Sequence, residues 1–171
     1  MSLARHLPDG CALRRATAND ARHVGARMRP VDRAEIEALE GRGVDEFLAD
    51  ALAAGARTLT IGGEPMLLYG LVPCAEMPGH ATPWLVTSSA IGHDELIAVM
   101  SMSRLQIDFW QRRAAVLEIV CDSRNVFRRQ WLEWLGFQHA GHLDSLGAAG
   151  LPFDHFVRHW AGLGLSRHRL H

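Results

Sequence analysis

Few residues in this chain have both the type and the setting for chemistry. Glu118 lies inside the apolar run Val116-Leu-Glu-Ile-Val120, where a carboxylate drawn away from water can accept a proton; a strand-edge or ion-paired glutamate is the commoner outcome. Ser88 and Ser89 follow the stretch Trp84-Leu-Val-Thr87 and could donate a proton, although serines so placed usually cap or turn the chain. Cys121 could serve as a nucleophile, but no histidine with an orienting partner is tied to it, and a buried structural thiol fits better. His139, His142, His155, His159, His168 and His171 crowd the C-terminal part without forming a compact ligand set. No metal site is therefore assigned, and edge or surface histidines account for them.

The elements that must position these residues follow from spacing. Val116, Leu117, Ile119 and Val120 suit a strand buried on both faces. Beyond Cys121 the pattern turns helical, with Phe127, Trp131, Trp134 and Leu135 on one side, Ser123 or Asn125 to cap the first turn, and Gly136 to stop it. A long helix from Asp94 to about Arg113 sets Leu96, Met100, Ser103, Ile107 and Trp110 in one stripe, with acids at its start and Arg112 and Arg113 at its end. Cys11 to Ala16 predicts a first strand, and Thr17-Ala-Asn-Asp20 a capped helix start. Further helical segments break at Pro30 and at Gly41 and Gly43, and close at Gly55. Thr58 to Ile61 and Met66 to Val72 predict a hairpin around Gly62-Gly-Glu-Pro65. Pro73 to Pro83 predicts a loop, and Trp84 to Thr87 another strand. Phe137 to His142 and Phe153 to Trp160 predict a closing hairpin around the small-residue turn Ser145 to Gly150.

The 171 residues, 48% of them hydrophobic, suffice for one sizeable core and are short for two. The expected organisation is a flexible arm over residues 1–10, one domain over 11–161 and a tail over 162–171. A formal charge of -1 supplies no basic field, so direct nucleic-acid binding is not expected. Three scattered cysteines, without a C-x-x-C pair, fit reduced thiols in cytoplasm. No signal peptide and no membrane span is expected.

Asn125, Gly136 and Phe137 fall at the spacing of N-x-x-A-x-x-x-Y-x-K-x-G-F, and this segment resembles the last motif of the GNAT family of N-acetyltransferases. The order strand, helices, three-strand meander, long helix, strand, helix, strand is also the order of that fold. The resemblance implies an α+β, GNAT-like (acyl-CoA N-acyltransferase) fold, a mixed central sheet flanked by helices. It implies that acetyl-CoA, if bound, meets Leu85, Val86, Thr87, Gly92 and Asn125, with Glu118 as base and Ser88 as proton donor. Two departures stand against activity. Leu132 occupies the position of the family's tyrosine, often its general acid. The family's diphosphate loop, Q/R-x-x-G-x-G/A, is reduced here to Thr87-Ser-Ser-Ala-Ile-Gly-His-Asp-Glu95, where Asp94 and Glu95 would take the helix amides and repel an anion.

Four blocks, L-R-R-A-T-A-N-D-A, A-R-T-L-T-I-G-G-E-P-M-L-L-Y-G, W-L-V-T-S-S-A-I and N-V-F-R-R-Q-W-L-E-W-L-G-F, further resemble a GNAT-like family of internal virion proteins of short-tailed bacteriophages. That resemblance implies a virion-associated or structural protein acting in particle assembly or DNA delivery, without acetyltransferase activity or cofactor. Its partners would be other virion proteins such as portal, tail or core components, or copies of itself. Its location would be the virion or the bacterial host cytoplasm. The alternative is an acetyl-CoA-dependent N-acetyltransferase with a degenerate diphosphate loop.

Overall fold

Both faces of one strand, Glu64–Pro73, are apolar: Leu67 and Tyr69 point one way and Leu68 the other, all of them buried. Such a strand must be covered on both sides, which dictates a sheet between two helical layers. The computed structural model describes residues 7–160. In chain order the elements are β1 Cys11–Arg15, α1 Ala18–Ala26, α2 Pro30–Glu40, α3 Val44–Ala53, β2 Arg57–Ile61, β3 Glu64–Pro73, β4 His80–Thr87, α4 His93–Gln111, β5 Val116–Asp122, α5 Val126–Trp134, β6 Gln138–Leu146 and β7 Leu151–His159. The seven strands form one sheet in the order β1-β2-β3-β4-β5-β7-β6. All neighbours are antiparallel except β4 and β5, which are parallel.

Leu68 and Val86 pack with Val24 of α1 and Leu48 of α3, whereas Leu59, Leu67 and Tyr69 pack under Val99 and Met102 of α4. A third cluster joins Leu117 and Phe156 to Ile107 of α4 and Leu132 of α5. Thus α1, α2 and α3 lie on one face and α4 and α5 on the other. The fold is the α+β, mixed-sheet arrangement expected.

Local chemistry fixes the corners. Thr17 caps α1, and the Asp20 carboxylate returns to the Thr17 amide at 2.8 Å. The Arg14 guanidinium closes on the other carboxylate oxygen at 2.8 Å, so β1 is tied to α1. Gly147 has a positive φ of 67°, and its missing side chain lets the β6–β7 turn sit on the Ala38 carbonyl of α2.

Several boundaries differ from expectation. The segment Pro73 to Pro83 is not all loop, because β4 begins at His80 and carries Pro83 inside it. The residues of α5 are rotated from the expected stripe: Leu132 and Leu135 are buried, while Phe127 and Trp134 remain 49% and 41% exposed. Arg29 lies over the Phe127 ring and Arg104 over the Trp134 ring, which shields those aromatics without burying them. Strand β6 runs on to Leu146, unannounced because it is an edge strand with most residues exposed. Residues 7–10 are not a loose arm: Cys11 donates to the Pro8 carbonyl and Leu7 packs against the core. The first six residues and the expected tail fall outside the described residues.

The Arg14 guanidinium hydrogen bond, the first cause, and those of Thr17 hold the Asp20 carboxyl well below the usual carboxylate range. A depressed native pKa contributes stability above the unfolded value and loses it as pH falls. Asp20→Asn is expected to cost about 2 kcal/mol, discounted for the half-exposed arginine, and to lower the melting temperature by about 4–8 °C at pH 7. Calorimetry at pH 7 and pH 2 checks this, since the difference between variant and wild type should shrink at the lower pH.

Candidate functional site

The feature that distinguishes this sheet is where its one parallel ladder stops. β4 and β5 pair only through His80 with Val116 and Ala81 with Leu117. Successive residues of a strand offer their amides and carbonyls to opposite neighbours. His80 gives its carbonyl to Cys74, and Ser88 gives its amide to Met66, so the even-numbered residues of β4 face β3. The odd-numbered ones therefore face β5, and the first after Ala81 is Pro83, which has no N–H to donate. Beyond it no further residue pair joins β4 to β5, although β4 stays paired with β3 as far as Leu67 and Thr87, and Met28 bridges Ser88 at the far end. The two strands separate into a V whose closed end is the Ala81–Leu117 pair. Pro83 escapes recognition as a strand residue because its missing donor falls on the side where the ladder ends.

On the α4 and α5 face, an inner cavity of about 50 Å³ reaches this gap, bordered by Pro83, Leu85 and Ile119. Its far wall is apolar, from Ile107, Leu132, Leu135 and Phe137. Two further lining residues, Tyr69 and Trp131, have a buried hydroxyl and a buried indole N–H with no protein acceptor or donor. Burial pushes the Tyr69 hydroxyl pKa up, with the nearby Arg57 guanidinium opposing it without completing a hydrogen bond.

On the opposite face, just past the closed end of the V, stands Glu118. Its Oε1 is 3.2 Å from His80 Nδ1 and its Oε2 is 3.3 Å from His155 Nε2. The carboxylate is 21% exposed and the imidazoles 30% and 33%, so the group is anchored yet reachable. Register explains the meeting: His80 pairs with Val116 and His155 with Val120, which puts both rings on the Glu118 face. Sequence reasoning finds Glu118 but misses both histidines as its partners. Their only signal is the strand register, hidden when the start of β4 is taken for loop. Among the described residues no three His, Cys, Asp or Glu side chains are arranged to hold a metal ion.

A second, outer groove of about 360 Å³ opens at the wide end of the V. Thr87, Ser88 and Ser89 line it with Arg29, Gln130 and Trp131, so Trp131 borders both spaces. Here the expectation that acids fill the start of α4 needs correction. Glu95 accepts a 3.0 Å bond from the Gly92 amide, the residue before the helix, and α4 has no side-chain cap. The amides of the first turn are guarded by Glu95 and Asp94, not consumed by them. The Glu95 carboxylate lies against Gly92, where a side chain would meet it.

The other sequence candidates serve the fold. The Ser88 hydroxyl accepts from the Ala90 amide at 3.1 Å and is buried, a turn role and not a proton donor facing the gap. Val86 points into the α1 and α3 core, and as an even-numbered residue of β4 it turns its backbone groups to β3 and not to the gap. Asn125 caps α5 by accepting from the Arg128 amide at 3.2 Å. Arg128 itself ion-pairs with Glu35 of α2 at 2.9 Å, and the Asp122 amide donates to the same carboxylate at 3.3 Å. Burial raises the Glu35 carboxyl above its ordinary pKa, with Arg128 pulling it down. Asp154 gathers His142, His139 and Arg129; burial alone would raise it, but these partners hold it below the usual range. The His142 contacts to Ser123 and to Asp154 both use Nδ1, while Nε2 faces Asp144, so Ser123, His142 and Asp154 do not form a nucleophilic relay.

No family model matches the chain, and no curated protein matches it. Solved structures do. A GNAT-family acetyltransferase from Bacillus anthracis is 8% identical with a TM-score of 0.68, over 90% of this chain and 98% of that one. A spermidine N-acetyltransferase chimera from Vibrio cholerae and human sequences is 12% identical with a TM-score of 0.67, over 89% of this chain and 96% of that one. The Salmonella typhimurium acetyltransferase-like protein yncA, solved with its cofactor acetyl-CoA, is 13% identical with a TM-score of 0.65, over 90% of this chain and 96% of that one. The chain has the GNAT fold. None of these three is a virion protein, and the resemblance to the phage family gains no support from them. No helix among the described residues is long and apolar enough to cross a membrane.

Cys121 is fully buried, and desolvation, with Glu35 next, pushes its thiol up to about 12. Labelling of the native protein with a thiol reagent at pH 8 is therefore expected to modify Cys74 and Cys11, leaving Cys121 for the denatured chain. Mass mapping of labelled peptides reads the outcome directly.

Proposed function

We propose that this protein is an N-acyltransferase that takes its acyl group from a coenzyme A thioester, with Glu118 as the base. The single observation carrying the reading is the gap opened beyond Ala81 and Leu117, which brings an apolar cavity on one face near a carboxylate between two imidazoles on the other.

The residues present fit most of such a donor. Leu85 offers its backbone groups, unpaired with β5, to the amides of a pantetheine arm, and the outer groove with Arg29, Ser89 and the first turn of α4 would receive the diphosphate once Glu95 moves aside. When bound, the thioester supplies an acyl carbon open to attack by an amine, with the new C–N bond replacing C–S. Glu118 accepts the proton that the amine gives up. His80 and His155 engage both carboxylate oxygens, fix their direction and offer a route for that proton to solvent. Leu132 supplies no proton, so the thiol would depart as its anion and take a proton from solvent.

Acetyl-CoA at about 100 times its dissociation constant should stabilise the protein by about 2.7 kcal/mol, a rise of about 5–10 °C in melting temperature. No shift at millimolar acetyl-CoA would remove the donor from the reading. Glu118→Gln should bind the thioester as wild type does but lower acyl transfer to a panel of amines by about 10²- to 10⁴-fold. Glu95→Gln should tighten acetyl-CoA binding by about fivefold, the worth of one carboxylate charge at ~4 Å in a water-like dielectric. Titration calorimetry of the three proteins separates these effects.

A further inference from the structure

Within that acyltransferase reading, the inner cavity extends further than an acetyl group needs. Its entrance is at Pro83 and Ile119, where the strands part, and it continues toward the closed end of the V. Leu132, Leu135, Phe137 and Ile107 form that end, and they belong to the core cluster built around Ala81 and Leu117. The far wall is hydrocarbon, and the polar side chains of Gln106 and Arg128 also border the cavity, Arg128 with its charge engaged by Glu35. Ser103, which also borders the cavity, spends its hydroxyl on the Val99 carbonyl at 2.7 Å and offers nothing to a ligand.

An apolar cavity of about 150 Å³ holds a benzene ring, so the space here suits about two carbons beyond the gap. We propose that this cavity is an acyl pocket, and that the thioester used by this chain carries a short saturated acyl group of about three to four carbons in preference to acetyl. The methyl of acetyl reaches the gap and leaves the far wall bare. A butyryl chain covers Ile107 and Leu135. The buried indole N–H of Trp131, without a protein partner, stands beside this chain as a donor for the acyl carbonyl. Leu132 contributes directly: a tyrosine at this position would bring a ring and a hydroxyl into the pocket, whereas leucine leaves it open and apolar.

The test is the affinity of the intact protein for free coenzyme A, acetyl-CoA, propionyl-CoA, butyryl-CoA and decanoyl-CoA. Titration calorimetry measures it, with tryptophan fluorescence of the cavity residues Trp110 and Trp131 as an independent readout. Two added buried methylenes predict about tenfold tighter binding of butyryl-CoA than of acetyl-CoA, with no further gain at decanoyl-CoA. Ile107→Phe and Leu132→Phe should lower butyryl-CoA affinity more than acetyl-CoA affinity and bring the ratio toward one; the wild-type series decides alone if either variant fails to fold. Equal affinity for acetyl-CoA and butyryl-CoA overturns the acyl pocket and leaves the acyltransferase reading standing. No binding of any thioester or of coenzyme A overturns both.

Discussion

The molecule depends on a ladder that is cut short at its centre. Two parallel strands in the middle of a sheet would ordinarily pair along their length, because each unpaired amide left away from water costs free energy. Here pairing ceases after Ala81 and Leu117, and the residue that should donate next is Pro83. A proline at this register removes one bond and turns the strands' twist into separation. Everything of chemical interest then follows from position relative to that point: the apolar cavity behind it, Glu118 with its imidazoles just beyond it, and the outer groove at the open end.

Holding the strands apart requires something at the mouth, and the polar interior provides it. Glu35 of α2 and Arg128 of α5 come from helices on opposite faces and meet at the end of β5. The carboxylate is almost wholly buried, and burial works against its charge more strongly than Arg128 works for it. Such a pair contributes little net stability over an apolar equivalent, yet losing one member strands the other, at a cost of about 3–5 kcal/mol. Its value here is geometric, because it fixes the distance between two layers that share no strand bonds at that level.

Much of this fold is legible in the amino-acid sequence. The capping box at Thr17 and Asp20, the glycine stop at Gly136 and the long amphipathic helix are all local patterns, and local patterns specify elements well. The GNAT fold follows from their order. The site is legible only in part. Glu118 stands out as a carboxylate within an apolar run, but its partnership with His80 and His155 is created by strand register across distant segments, which no spacing along the chain encodes. Pro83 misleads for a related reason, since proline argues against a strand unless one knows which neighbour its nitrogen faces. At the start of α4 the sequence shows charge alone. It cannot reveal that Glu95 bonds the amide before the helix and leaves those within it free.

A sheet joined at its centre by two residue pairs behaves mechanically as two leaves. The leaf of β1 to β4 carries α1 and α3, the leaf of β5 to β7 carries the Glu118 carboxylate, and between them runs a seam far shorter than any other in the sheet. Bending is easiest where the fewest bonds resist it. The seam at Ala81 and Leu117 is therefore the place in the sheet where the fewest backbone bonds set the angle between the two leaves, and the helices and the Glu35–Arg128 pair that span it carry the rest of that task.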